Sequence, residues 1–158
     1  MGGFEAWYRR EHPRLLTAMV VMCGDIDAAR DLTAEAFARA LERWDRVGAM
    51  DNPAGWTYAV AVNLARRRWR RRAAEERLTS AIPPGVATSE DRVDVWRAVA
   101  SLPLQARTAV VLRYLGSMTE PEVAAAMGVS VGTVSSSLSV ARRRLAALLT
   151  DVEEAPRA

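Results

Sequence analysis

Apolar residues recur along this chain at spacings of three and four almost from end to end, the period of helices rather than strands. Phe4, Trp7, Tyr8, Leu15, Met19 and Met22 outline a first helix, with Pro13 as a bend or boundary. Asp25 can cap a second helix, on which Ala29, Leu32, Ala36, Phe37, Ala40, Leu41 and Trp44 form a buried stripe to about residue 45. Residues 46–53, RVGAMDNP, are rich in turn formers and read as a loop. A third helix starts near Ala54, carries Tyr58, Val62, Ala65 and Trp69 on one face, and ends in the arginines of 66–72.

The stretch 81–89, with Pro83, Pro84 and Gly85, cannot continue a helix and reads as a linker. A second helical unit opens near Asp91. Val95, Trp96, Val99, Leu102, Val110, Val111, Tyr114 and Leu115 form its apolar set, and Pro103 separates its first two helices. Residues 118–145 then have the layout of a helix-turn-helix. A short helix carries Val123, Ala124 and Met127, Gly128 supplies a residue tolerant of positive φ, and Ser130 can cap the next helix. Val134, Leu138, Ala141 and Leu145 make one stripe on that helix. The fold class expected is all-α: two small helical domains, 4–73 and 91–150, joined by a flexible linker, 74–90, and followed by a frayed tail, 151–158. The second helix of such a unit often enters a DNA major groove. An ordinary helical hairpin with a solvated arginine face is the alternative.

The charge distribution sharpens this picture. The 158 residues carry 22 basic side chains against 19 acidic ones, every one of the 22 an arginine. Six of these arginines occupy the seven positions 66–72. On a helix they repel at i, i+4 unless something anionic compensates, and phosphate is a strong candidate with Trp56, Tyr58 and Trp69 on the same element. Cys23 and His12 are single, so a disulfide framework, a Cys/His metal site and histidine-based catalysis all lack material. No cofactor is expected. The start of the chain is charged within ten residues and the longest apolar run, Ala18 to Cys23, is far short of a membrane span, so neither a signal peptide nor membrane insertion is expected, and a cytoplasmic protein is.

Three stretches, taken together and in order, resemble the extracytoplasmic-function (ECF) group of bacterial RNA polymerase sigma factors in the sigma-70 family. They are Asp31-Leu32-Thr33-Ala34-Glu35-Ala36-Phe37 with Arg39; Pro53-Ala54-Gly55-Trp56-Thr57-Tyr58 with Asn63 and Arg70; and Leu102 to Arg107 with Glu122-Val123-Ala124, Gly128-Val129-Ser130 and Gly132-Thr133-Val134. The resemblance covers roughly residues 4–73 and 90–149. It implies a sigma-2-like bundle of three or four helices and a sigma-4-like helix-turn-helix domain. It also implies a non-catalytic initiation factor that binds core RNA polymerase (β′ clamp and β flap), recognises promoter DNA, melts it near −10, and is held by an anti-sigma factor.

By that resemblance Asp31, Leu32, Glu35, Phe37 and Arg39 would bind polymerase. Val47, Asp51, Asn52, Trp56, Asn63, Arg66, Arg67 and Arg70 would serve the −10 element, with Trp56 locking the helix under the loop. Arg107, Thr119, Ser130, Gly132, Thr133, Ser135, Ser136, Ser137, Arg142 and Arg143 would serve the −35 element. The sequence departs from the family at Arg30, Ala34, Ser135, Ser137 and Val140, where an acidic residue, a glutamine and basic residues are usual. Two other readings stay open: a stand-alone helix-turn-helix regulator, and a sigma-like module that sequesters a protein partner.

Overall fold

The computed structural model describes residues 2–76 and 90–154. These form eight α-helices and one π-helical turn, with no strand among the described residues. Helix α1 runs Gly2–Cys23, α2 Ile26–Glu42, α3 Trp44–Val47, α4 Pro53–Glu76, α5 Glu90–Ala100, α6 Leu104–Val110, α7 Glu120–Met127 and α8 Val131–Glu154. The π turn occupies Val111–Leu115, directly after α6. The linker proposed for 81–89 lies outside the described residues.

Local chemistry explains most boundaries. Helix α1 stops at Gly24, whose φ of 66° suits a residue without Cβ. One carboxylate oxygen of Asp25 accepts from the backbone N–H of Asp27 and of Ala28, capping α2. Thr119 and Glu122 form a reciprocal capping box at α7, and Gly128, at φ 68°, closes it. Ser130 Oγ accepts from the N–H of Thr133 and starts α8, which leaves α7 at 104°.

Several expectations are corrected. Pro13 does not end α1; the helix continues through it, and its carbonyl accepts the Thr17 hydroxyl at 2.9 Å. Trp44 does not end α2 but opens the short α3, which runs into the stretch that reads as a loop. An aromatic cluster places it there: Trp44 lies 4.8 Å from Trp7 and 5.1 Å from Phe4 between ring centroids, and Trp7 lies 5.3 Å from Phe37. Helix α4 continues past the arginines to Glu76, and α8 continues to Glu154, into the stretch read as tail. Leu41, Val95 and Tyr114, assigned to apolar stripes, are exposed.

Helix α2 packs on α1 and α4 in the N-terminal half, while α5, α6 and α7 pack around α8 in the C-terminal half. The two halves also pack on each other. Helix α1 lies against α5, α6 and the π turn, and α4 lies against α7. Leu15, Met19, Met22 and Tyr58 from one half therefore share a single apolar cluster with Val99, Leu102, Leu112 and Met118 from the other.

Candidate nucleic-acid and polymerase interface

Helix α2 sorts the five candidate polymerase residues by face. Leu32 and Phe37 are buried, at 7% and 3% exposure, so they anchor the helix and do not meet a partner, which corrects their assignment. Asp31, Glu35 and Arg39 lie on its charged side. Glu35 Oε1 accepts from Arg39 Nε at 2.8 Å, and Asp31 Oδ2 lies 3.6 Å from Arg68 Nη1 on α4.

Helix α4 spreads its arginines around its circumference. Arg66 turns toward the C-terminal half and donates to the carbonyl of Met127 at 2.8 Å. Arg68 and Arg72 turn toward the α1–α2 corner. Their charges there oppose the effect of burial, which pushes the Cys23 thiol up to about 11. They also help hold the Asp25 carboxylate below its ordinary range, an effect led by the N–H of Ala28. Arg67, Arg70 and Arg71 point to solvent. The like-charge repulsion along this helix is thus relieved in part by the fold itself, through two carboxylates and a helix C-terminal carbonyl.

Asn63 does not neighbour the 48–52 loop. It lines a crevice of about 150 Å³ together with Arg39, Val60, Leu64 and Arg67, between α2 and α4. Its apolar walls and polar rim of one amide and two guanidinium groups suit a flat base with hydrogen-bonding edges. Arg39 therefore belongs with Asn63 and Arg67, a grouping that no spacing in the sequence reveals.

The loop residues behave differently from expectation. Val47 is fully buried and cannot touch DNA. Asn52 caps α4: its Oδ1 accepts from the N–H of Gly55 at 2.8 Å, and its Nδ2 donates to the carbonyls of Gly116 and Ser117 at 3.0 and 3.2 Å. Trp56 is half-buried against the core, as a residue that locks the helix would be. Asp51 is exposed.

In the C-terminal half, Arg107 is not free for DNA. Its Nη1 donates to the carbonyl of Met22 at 3.0 Å and its Nη2 to that of Leu102 at 3.1 Å. Ser130, Gly132, Thr133, Ser136 and Ser137 share a groove of about 640 Å³ with Pro103, Gln105, Ala106 and Val140, whose lining holds no charged side chain. Ser137 sits deepest among these serines, at 9% exposure. Ser135 stands at the edge of the groove and donates to Glu120 at 2.7 Å. Thr119 is exposed but occupied as a cap. Arg142 Nε reaches Tyr114 Oη at 3.4 Å, and Arg143 is exposed. Tyr114, which its spacing assigns to an apolar set, is turned outward by the π turn and meets Arg142 there.

Among the described residues no His/Cys/Asp/Glu cluster could hold a metal ion, and no single helix is long and apolar enough to cross a membrane.

A helical bundle with a basic reading helix, packed beside a helix-turn-helix, defines a nucleic-acid-binding protein with two contact modules. The profile described as Sigma-70 region 2 matches residues 7–75 and that described as Sigma-70, region 4 matches residues 92–145; the chain belongs to the sigma-70 family, within its ECF group. Its function is accordingly transcription initiation, directing RNA polymerase to promoters. It is 33% identical to the RNA polymerase sigma-E factor of Streptomyces coelicolor over 90% of this chain and 83% of that protein. It is 29% identical to the ECF sigma factor EcfG of Rhodopseudomonas palustris over 87% of this chain and 80% of that one. The structure of the sigma factor RpoE of Bartonella quintana, solved with the anti-sigma factor NepR, superposes with a TM-score of 0.75 at 25% identity, covering 95% of this chain and 98% of that one.

Proposed function

We propose that the exposed acidic edge of α2, Asp31 and Glu35, docks on the β′ clamp of core RNA polymerase. In this reading α4 then holds the −10 element. Asn63, with Arg39 and Arg67 around it, takes a base edge, and Arg67 and Arg70 hold the backbone. The observation that carries this reading is the shared crevice: one niche joins the docking helix to the basic helix. The C-terminal half meets the β flap and lays the N-terminal end of α8 toward the −35 element. The chain itself performs no chemistry; polymerase does. It works in the cytoplasm, and an anti-sigma factor is a fitting partner, as one is for the Bartonella sigma factor.

Run-off transcription with core polymerase and promoter fragments tests this. Specific transcripts that require this chain support it, and none from any fragment would defeat it. A second reading rests on the uncharged groove of α8, with Glu120 already bonded to Ser135. There the C-terminal half grips a protein, not −35 DNA, and transcription would be indifferent to the −35 sequence.

A further inference from the structure

The pair Asp31–Arg68 joins the two surfaces that the proposed function keeps apart. Asp31 belongs to the docking edge of α2, Arg68 to the arginine run of α4, and their charged atoms lie 3.6 Å apart. Asp31 is 76% exposed and Arg68 36%, so the carboxylate faces outward and the guanidinium sits beneath it. Arg68 follows Arg67, which lines the crevice with Asn63, and precedes the solvent-facing Arg70. It is thus within the basic strip yet turned from it by one carboxylate. Glu35 holds Arg39, also on the crevice, in the same manner.

We propose that Arg68 is a phosphate-contacting residue held in reserve: Asp31 neutralises it in the free chain, and docking on polymerase releases it to DNA by taking Asp31 as its own partner. This rests on the reading of α2 as the docking edge. A guanidinium paired within 4 Å offers a phosphate little net attraction, because the approaching anion also meets the carboxylate. When a cationic partner surface claims that carboxylate, the same guanidinium loses its nearest counter-charge with no more than a side-chain rotation. The exchange links docking to DNA binding in both directions, as any coupling between two binding events must. Of the other groups facing Arg68 at this corner, burial holds the Cys23 thiol protonated, and Asp25, ionised and fixed as the α2 cap, exerts the same attraction in every variant, so it cancels from the comparison.

Exposed pairs are weak, so the restraint is small: release corresponds to about a two- to fivefold gain in DNA affinity. The test is a double-mutant cycle on the full chain, free in solution, with fluorescence anisotropy of labelled oligo(dT) across a salt series. Asp31→Asn is expected to tighten binding about two- to fivefold and to steepen the salt slope by about 0.7, one single-strand phosphate contact. In an Arg68→Ala background the same substitution is expected to do neither. Glu42→Gln, which removes an exposed α2 carboxylate outside this pair, controls for loss of negative charge in general. Equal tightening by Asp31→Asn with and without Arg68, or no tightening at all, overturns the proposal. Pull-down of core polymerase by Asp31→Asn reads docking separately. Retained docking with an intact cycle would defeat the docking reading and the release step, leaving only the restraint of Arg68 by Asp31; lost docking with no cycle would defeat the reserve and leave the docking reading standing.

Discussion

Asn52 and Ser117, 65 positions apart in sequence, are joined by one hydrogen bond: the Asn52 amide donates to the Ser117 carbonyl at 3.2 Å and to the preceding carbonyl of Gly116 at 3.0 Å. The same side chain caps α4 through its oxygen. Its two ends therefore do different work, and two substitutions separate them. Asn52→Asp keeps the capping oxygen and removes the donor; Asn52→Ala removes both. Urea denaturation is expected to show a loss of about 1–2 kcal/mol for Asp and about 2–3 kcal/mol for Ala. Equal losses would mean that the bonds between the halves contribute nothing.

Gly55 is the reason the amide can sit there. A Cβ at this position would lie 2.4 Å from Asn52 Nδ2 and 3.0 Å from Met118 Cγ. Gly55→Ala is expected to displace the amide and destabilise the chain by about 1–3 kcal/mol, more than the roughly 1 kcal/mol that alanine gains in a helix. Small-angle X-ray scattering should show a larger radius of gyration as the halves part. An unchanged radius together with unchanged stability would refute the clash.

Salt dependence separates the arginines. Arg67 and Arg70 point to solvent, whereas Arg66 is bonded to Met127. Replacing Arg67 and Arg70 by Ala is expected to flatten the log–log salt slope of holoenzyme binding to duplex promoter DNA by about 2, one phosphate contact each. In the same assay, Arg66→Ala should leave that slope nearly unchanged. A larger change from Arg66 than from the other two would reverse the assignment.

If the crevice takes a base as proposed, Asn63→Ala is expected to spare polymerase binding and reduce opening of the duplex, since the amide is the one neutral hydrogen-bonding group on its lining. Permanganate reactivity of thymines near −10 measures it, and wild-type reactivity would remove Asn63 from the site.

Two helix caps set an acid limit. The Asp25 carboxylate is held below its ordinary value of 3.8 chiefly by the N–H of Ala28, and Glu122 below 4.5 chiefly by the N–H of Thr119. A carboxylate with a depressed folded pKa stabilises the fold above its unfolded pKa and loses that contribution as pH falls through the folded value. Urea midpoints should thus be insensitive to these groups above about pH 5 and fall below about pH 4. Glu122→Gln should flatten part of that fall, and an unchanged acid limb would exclude Glu122 from it.

The sequence displays what depends on near neighbours. The turn at Gly128, the Asp25 and Ser130 caps and the stripe of Val134, Leu138 and Ala141 are all local patterns, and the structure contains each. Helix α3 was hidden because Trp44 is placed by Trp7 and Phe4, some forty positions earlier. The π turn was hidden because its one extra residue per turn has no compositional mark. Among the candidate site residues, helical spacing identifies which ones share a face, but not which face is covered. Asn52, Arg66 and Arg107 read as DNA contacts because amides and guanidiniums suit nucleic acid. Here each bonds a backbone carbonyl 61 to 85 positions away, and only the fold discloses that choice. Val47 is covered for the same reason: whether a small loop residue lies under a neighbouring element is a tertiary fact.

The apolar cluster that runs unbroken from Leu15 and Tyr58 to Leu112 and Met118 has a thermodynamic consequence. The two family regions are bound into one cooperative unit, for which a single calorimetric transition is the natural outcome. Drawing the halves apart exposes Tyr58 and Met118, now 2% and 6% exposed, to water. That separation raises the heat capacity and carries a hydrophobic cost. A macromolecule that holds this chain extended must therefore furnish a replacement greasy surface, not merely attract its charges.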